Sequence, residues 1–418
     1  MLSYIVEGGR KLEGEVCVSG SKNASLPIIA ASILNRGITE LYNVPKIHDT
    51  EVMLQILEVL GCQITKYSDK IVIDSNEIHQ YKIPEHLMRE MRSSVILAGA
   101  ILAVHKEVVF SYPGGCDIGS RPIDLHLNGF EKLNMTVEED AGYIHCYYDE
   151  LIGSEISLEF PSVGATENIM LASVFAEGIT VIKNAAMEPE IVDLANFLNV
   201  MGAKIKGAGS NEIIIEGVRK LKDVCYTIMP DRIEAGTLLC AAAITQGHVL
   251  VKQVNPEHIT PVLHKLKEAG CELIISEKTV EIIGPKRLKA VNIKTLPYPG
   301  FPTDMQAIFA SILTVAKGSS MIVENIFENR YKYTSELIRM GAKITIEGRT
   351  AVIKGVKKIS AATVTSTDLR GGAAMLIAGL SAEGITKVEH IQYILRGYEK
   401  LDQKLNQLGA NITIMEGD

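Results

Sequence analysis

The segment SYPGGCDIGSRPIDL at 111–125 holds Cys116 at its tip, with one proline and three glycines ahead of Arg121. Those residues predict a flexible loop rather than a helix. Free cysteine is among the most buried residue types, so a thiol among glycines on a polar loop is unusual. Arg121 beside it would lower the thiol pKa from its reference of about 8.5 and hold an anion next to the sulfur. Taken alone, a loop cysteine reads more readily as incidental than as catalytic; the arginine beside it shifts that balance toward a reactive thiol next to an anion. A second constellation, Ser21-Lys22-Asn23 before an apolar run, places a cation and an amide at the N-terminus of a buried helix. Backbone N–H groups and the helix dipole favour phosphate or carboxylate there; Ser21 equally reads as a plain cap.

Arginines recur beside glycine or turn residues at 92, 121, 232, 330, 370 and 396. A lone arginine is ordinarily a solvated charge, but several facing one cleft would clamp carboxylates and phosphates bidentately. Asp231 and Asp304 each open an apolar run. Each reads either as an N-cap or as a carboxylate that orients or deprotonates a substrate hydroxyl. No G-x-x-x-x-G-K-[ST] loop, strand-linked G-x-G-x-x-G or H-E-x-x-H is present, so an ATPase, a dehydrogenase and a zinc hydrolase find no support.

The chain that must position these groups has 418 residues, room for two to four domains. Apolar residues at 47% and charged residues at 22% are globular values, and a net charge of −8 argues against coating a polyanion. Aromatics at 5% with no Trp leave little for base stacking. Seven cysteines, no two closer than 15 residues, support neither a C-x-x-C pair nor a disulfide framework. Reduced thiols in the cytoplasm are expected, and the charged N-terminus and lack of a long apolar stretch predict neither a signal peptide nor a membrane span.

A motif repeats six times: a helical apolar pattern stops at Gly61, Asn134, Gly202, Gly270, Gly341 and Gly409, at spacings of 73, 68, 68, 71 and 68 residues. Another glycine lies 23–25 residues ahead of five of them, at 37, 178, 247, 318 and 384. Between the marks, Met53, Ile56, Leu57 and Leu60, and likewise Ile191, Leu194, Ala195 and Leu198, fall at i, i+3, i+4, i+7. A strand such as Lys204-Ile205-Lys206 follows. Before each first mark an apolar run (24–34, 168–176, 235–244, 307–315, 373–380) reads as a buried helix. Six such units predict two groups of three, with a boundary near Met229-Pro230 and the first 20 residues completing the C-terminal group.

The segments GSKNASLP, PGGCDIGSRPIDLH, SVGATENIM, MEPEIVDLANFL, PDRIEAGT, FPTDMQA, FENRY, TDLRGG and LRGYEKL closely resemble, in order and separation, the enolpyruvyl transferase family. Within it they are most similar to the UDP-N-acetylglucosamine 1-carboxyvinyltransferases of Gram-positive type. The resemblance covers essentially the whole chain. It implies an α/β fold, a two-domain inside-out α/β barrel of six βαβαββ repeats, three per domain: residues 21–229, and 1–20 plus 230–418. It also implies transfer of the enolpyruvyl group of phosphoenolpyruvate to the 3′-hydroxyl of UDP-N-acetylglucosamine with release of phosphate, the committed step toward peptidoglycan.

By position, the resemblance makes Cys116 the general acid and Asp304 the base. Lys22, Asn23, Arg121, Arg330, Arg370 and Arg396 match phosphoenolpyruvate-binding positions. Arg92, Arg121, Pro122, Ile123, Asp124, Leu125, Ser162, Val163, Gly164, Asp304 and Ile326 match UDP-sugar positions. No cofactor, metal, nucleic acid or membrane is implied, and protein partners are left open. The sequence departs at Phe160 and Met187, where many members have Lys and Arg, and at Leu395, where some have Asp. Two other readings stand beside it: shikimate-type transfer, which does not explain Cys116, and a silent paralogue that only binds.

Overall fold

Apolar spacing and the observed helices agree closely. In the computed structural model, which describes residues 2–115, 118–119 and 122–416, Met53, Ile56, Leu57 and Leu60 lie on the buried side of helix His48–Leu60. Ile191, Leu194, Ala195 and Leu198 do the same in helix Pro189–Met201. Gly61 and Gly202 follow, each at φ 108°, a left-handed conformation that costs glycine nothing because it has no Cβ. Gly61 N then donates to Glu58 O and Cys62 N to Leu57 O, satisfying carbonyls the helix leaves open. Asn134 takes the same turn at φ 67°, a conformation that short polar side chains tolerate, and its Nδ2 donates to Glu150 O at 3.0 Å.

The second glycine mark works in two ways. Gly178, Gly318 and Gly384 are themselves left-handed. At Gly37 and Gly247 the preceding residues, Arg36 and Gln246, take the positive φ. Glycine is needed there because a Cβ would collide with Asp223 Oδ1 and Leu12 O, respectively. Lys106, at φ 65°, makes the turn in the copy that lacks the glycine.

The chain divides into two compact units, one of Gly20–Cys116 and Arg121–Met229, the other of Met1–Ser19, Asp117–Ser120 and Pro230–Asp418. Each has its own hydrophobic core. At the ends of the crossing segments, Ser21 N donates to Met229 O (2.7 Å) in the first unit, and Asp231 N to Ser19 O (2.9 Å) in the second.

The strands form small mixed sheets. In the first unit, Val224–Thr227 pairs in parallel with Ile38–Tyr42, which pairs antiparallel with Lys70–Asp74 and that with Gln63–Lys66. The sheets centred on Ile179–Lys183 in this unit and on His248–Lys252 and Ser319–Val323 in the other share that pattern. The N-terminal strand Leu2–Glu7 lies between Ile385–Glu389 and Asn411–Glu416, antiparallel to both. Glu13–Cys17 runs parallel to His248–Lys252. The N-terminus therefore completes two sheets of the C-terminal unit.

Beneath the sheets lie buried helices. Lys22–Ala31, Leu97–His105 and Val163–Ser173 serve the first unit, and Arg232–Ile244, Gln306–Leu313 and Leu369–Ser381 the second. Their alanines and glycines permit close approach: a Cβ on Gly99 would run into the backbone oxygen of Asn168. No described helix is long and apolar enough to cross a membrane.

The loop expected over 111–125 is shorter in the structure. Ser111 closes strand Glu107–Ser111, and Asp124 and Leu125 open helix Asp124–Lys132. Buried Leu127 and Phe130 anchor that helix in the core, and Asp124 suits its positive N-terminal end. Cys116 and Arg121 lie outside the described residues.

Candidate active site

In the first unit, three segments carrying the expected UDP-sugar positions meet through one buried amide. Asn168, fully buried on helix Val163–Ser173, donates from Nδ2 to Val95 O and to His126 Nδ1, both at 2.9 Å. Its Oδ1 accepts from Gly99 N at 2.6 Å. Val95 belongs to the short helix Arg92–Ile96 that begins with Arg92, and His126 to the helix that begins with Asp124. Arg92 Nη2 also donates to Pro122 O at 3.2 Å. Ser162 caps helix Val163–Ser173 by accepting from Ala165 N, and Gly164 is so close to the His126 ring that a Cβ would lie 3.3 Å from Cε1. Arg92, Pro122–Leu125 and Ser162–Gly164 are thus neighbours, with Ile123 buried beneath them. Phe160, the departure from the family pattern, is exposed two residues ahead of the Ser162 cap.

Burial, helped by the Arg92 charge, holds the His126 pKa down at about 3. In the unfolded chain it returns to about 6.5, so the unfolded state binds the extra proton and stability falls as pH drops below 6.5. Between pH 7 and pH 5 the protein is expected to lose about 2 kcal/mol of unfolding free energy through this one group. His126→Gln keeps an acceptor for Asn168 and should remove that loss. Denaturant titrations at both pH values check this, and equal pH dependence in the two proteins would refute it.

Lys22 is the first residue of helix Lys22–Ala31, whose cap Ser21 accepts from Ala24 N at 3.3 Å. Its Nζ lies 2.8 Å from Asp49 Oδ2, and that carboxylate is only 1% exposed. Lys22 therefore sits at the helix N-terminus as expected, with a buried counter-ion that composition and spacing did not reveal. Asn23 follows it, half-buried.

The second unit separates the two aspartates that the sequence left alike. Asp231 is an N-cap, accepting from Ile233 N and Glu234 N at 2.8 and 2.9 Å. Asp304 is not: it lies in the turn Thr303–Met305, and helix Gln306–Leu313 starts from Met305 without a side-chain cap. Its carboxylate instead joins two arginines, Oδ1 to Arg330 Nη2 at 3.0 Å and Oδ2 to Arg370 Nη2 at 2.9 Å. The guanidiniums are 4% and 5% exposed and the carboxylate 27%, so the acid reaches toward solvent from a bed of buried cations.

Two guanidiniums face the Asp304 carboxylate, with the Asp231 carboxylate also acting on Arg370, and not all of their donors are used. Arg330 Nε and Arg370 Nη1 are buried without an acceptor among the described residues. Such donors ordinarily cost about 1–3 kcal/mol each, which an anionic ligand would recover. The backbone N–H of Arg370 is fixed by Asp368, the cap of helix Leu369–Ser381, and its guanidinium lies 5.2 Å from the Tyr398 ring. Arg396 ends helix Gln392–Leu395, which packs on the Arg370 helix. Ile326 follows strand Ser319–Val323, its N–H donating to Glu324 Oε1 at 2.8 Å.

Residues 6–405 match the family model of EPSP synthase (3-phosphoshikimate 1-carboxyvinyltransferase). A UDP-N-acetylglucosamine 1-carboxyvinyltransferase 2 of Caldanaerobacter subterraneus subsp. tengcongensis is 55% identical, over 99% of each chain. A UDP-N-acetylglucosamine 1-carboxyvinyltransferase 1 of Carboxydothermus hydrogenoformans is 49% identical, over 100% of this chain and 99% of its own. Among solved structures, the enolpyruvyl transferase NikO of Streptomyces tendae superposes with a TM-score of 0.89 at 22% identity, covering 100% of this chain and 99% of that one. EPSP synthase of Acinetobacter baumannii gives 0.78 at 19%, covering all of both chains. Such distant likenesses establish the mixed α/β fold. The full-length relatives at about half identity go further: this chain belongs to the EPSP synthase family and, within it, to the UDP-N-acetylglucosamine 1-carboxyvinyltransferases, and it is an enzyme.

Proposed function

We propose that this chain moves the enolpyruvyl group of phosphoenolpyruvate to the 3′-hydroxyl of UDP-N-acetylglucosamine, releasing phosphate, in the first committed step of peptidoglycan synthesis. The names of its close relatives support the substrates. The observation that carries the chemistry is the Asp304 carboxylate on two buried arginines with unused donors. The substrates bring a phosphate, a carboxylate and a diphosphate together, and only concentrated positive charge offsets their repulsion in a partly dry site.

In the proposed reaction, Cys116 gives its proton to the methylene carbon of phosphoenolpyruvate while the sugar oxygen bonds to the adjacent carbon and passes its proton to Asp304. The resulting ketal returns a methyl proton to the Cys116 thiolate and expels phosphate, which carries off the proton held by Asp304, restoring the double bond and both side chains. Lys22, Asn23, Arg121, Arg330, Arg370 and Arg396 hold the phosphoenolpyruvate anions. Arg92, Arg121, Pro122–Leu125, Ser162–Gly164, Asp304 and Ile326 hold the UDP-sugar. The domains are 21–229, and 1–20 plus 230–418, each an inside-out barrel of three βαβαββ units; the repeated parallel-then-antiparallel sheet pattern supports this reading. A cytoplasmic location accords with the unpaired state of the six described cysteines.

The family model names a shikimate-type acceptor, so the test compares acceptors. Phosphate release from phosphoenolpyruvate should require UDP-N-acetylglucosamine. Turnover of 3-phosphoshikimate with no response to the UDP-sugar would overturn the proposal.

A further inference from the structure

Glu324 follows strand Ser319–Val323 and is fully buried, although no motif marks it. Its Oε1 accepts from Thr295 Oγ1 at 2.9 Å, Ile326 N at 2.8 Å and Phe327 N at 3.2 Å. Its Oε2 accepts from Thr303 Oγ1 at 3.0 Å. Two hydroxyls and two backbone N–H groups thus converge on one carboxylate, the kind of full satisfaction a buried acid requires. Two loops are tied at this point. Thr303 immediately precedes Asp304, and its carbonyl accepts from Arg330 Nη2 at 3.3 Å. Ile326 and Phe327 begin the stretch that leads to Arg330. Thr295 closes the knot, since its Oγ1 accepts from Asn325 N at 2.9 Å and its carbonyl from Asn325 Nδ2 at 3.0 Å.

We propose that Glu324 is a positioning residue for the transfer reaction, setting Asp304, Arg330 and Ile326 relative to one another without touching either substrate. Oε2 acts on Asp304 through Thr303, and Oε1 acts on Ile326 through the loop backbone. The inference rests on the reading of Asp304 as acceptor of the sugar proton. The two oxygens then have separable kinetic signatures, because proton acceptance governs kcat and the Ile326 contact governs UDP-sugar affinity.

Thr303→Val is nearly isosteric and cuts only the Asp304 strap. It should lower kcat about tenfold, leave the KM for the UDP-sugar within about twofold, and barely move the unfolding midpoint. Glu324→Ala should lower kcat about 100-fold and raise that KM about tenfold. Glu324→Gln should recover most of both, because the amide oxygen keeps the three Oε1 donors and the amide N–H faces a hydroxyl able to accept. Rates are measured per folded enzyme, with Asp304→Asn in parallel. Near-normal kcat in Thr303→Val beside an inactive Asp304→Asn would overturn the role of Glu324 alone. An active Asp304→Asn would overturn the assignment of Asp304, and the proposal with it. Loss in Glu324→Ala that merely tracks the unfolded fraction would also refute positioning.

Discussion

Asp304→Asn is expected to lower kcat by about three orders of magnitude, within the range of about 10²–10⁴ that a positioned proton acceptor contributes. The substitution keeps shape but removes the charge, and whichever way the amide lies, an N–H₂ faces a guanidinium. Both Arg330 and Arg370 then lose their ion pair with Asp304 while remaining about 95% buried. Breaking a buried pair of this kind costs about 3–5 kcal/mol, and the partial exposure of Asp304 places the loss toward the low end. The unfolding midpoint should fall accordingly. The affinity for phosphoenolpyruvate should move the other way or stay constant, because removing a negative charge beside two arginines makes the site more attractive to anions. Steady-state kinetics and thermal unfolding on the same preparation check both halves. A kcat within tenfold of wild type, or a large rise in KM for phosphoenolpyruvate, would contradict the role given to Asp304.

Cys116→Ser should cost about 10²–10⁴ in turnover while UDP-sugar binding by calorimetry stays within about threefold, because a serine hydroxyl is a far weaker acid than a thiol in the same place. The wild-type thiol should also open the epoxide ring of fosfomycin, forming a carbon–sulfur bond. Mass spectrometry has internal controls in the same chain. Burial pushes Cys62, Cys146 and Cys271 up to about 12 and Cys240 well above its ordinary value, so these are thiols rather than thiolates at pH 7. Cys17 and Cys225 are exposed and available to any unselective reagent. An adduct on either of these instead of Cys116, or near-normal turnover of Cys116→Ser, would remove the proton donor from the proposed mechanism.

Local structure was legible wherever one residue type answers one physical need. Apolar spacing placed the helix faces of His48–Leu60 and Pro189–Met201, and glycine placed their left-handed ends. The repeat also pointed to Asn134, where asparagine does the work of glycine. What remained hidden depends on contacts between segments distant in sequence. Asp231 and Asp304 look alike as aspartates before apolar runs. Only folding shows that the first caps its helix while the second, in the turn ahead of its helix, pairs with Arg330 and with Arg370, 66 residues away. Asn168 and Glu324 gave no signal, since a polar residue in an apolar run does not announce which three or four partners it will meet. The glycines at 37 and 247 share the spacing of those at 178, 318 and 384, yet they serve close approach rather than positive φ.

The most direct measurement is product identification after incubating the enzyme with phosphoenolpyruvate and UDP-N-acetylglucosamine. Mass spectrometry and NMR should find an enolpyruvyl ether on the 3′-oxygen of the sugar in an amount equal to the phosphate released. Phosphate without that ether, an ether at another oxygen, or a UDP-sugar recovered unchanged would contradict the proposed transfer.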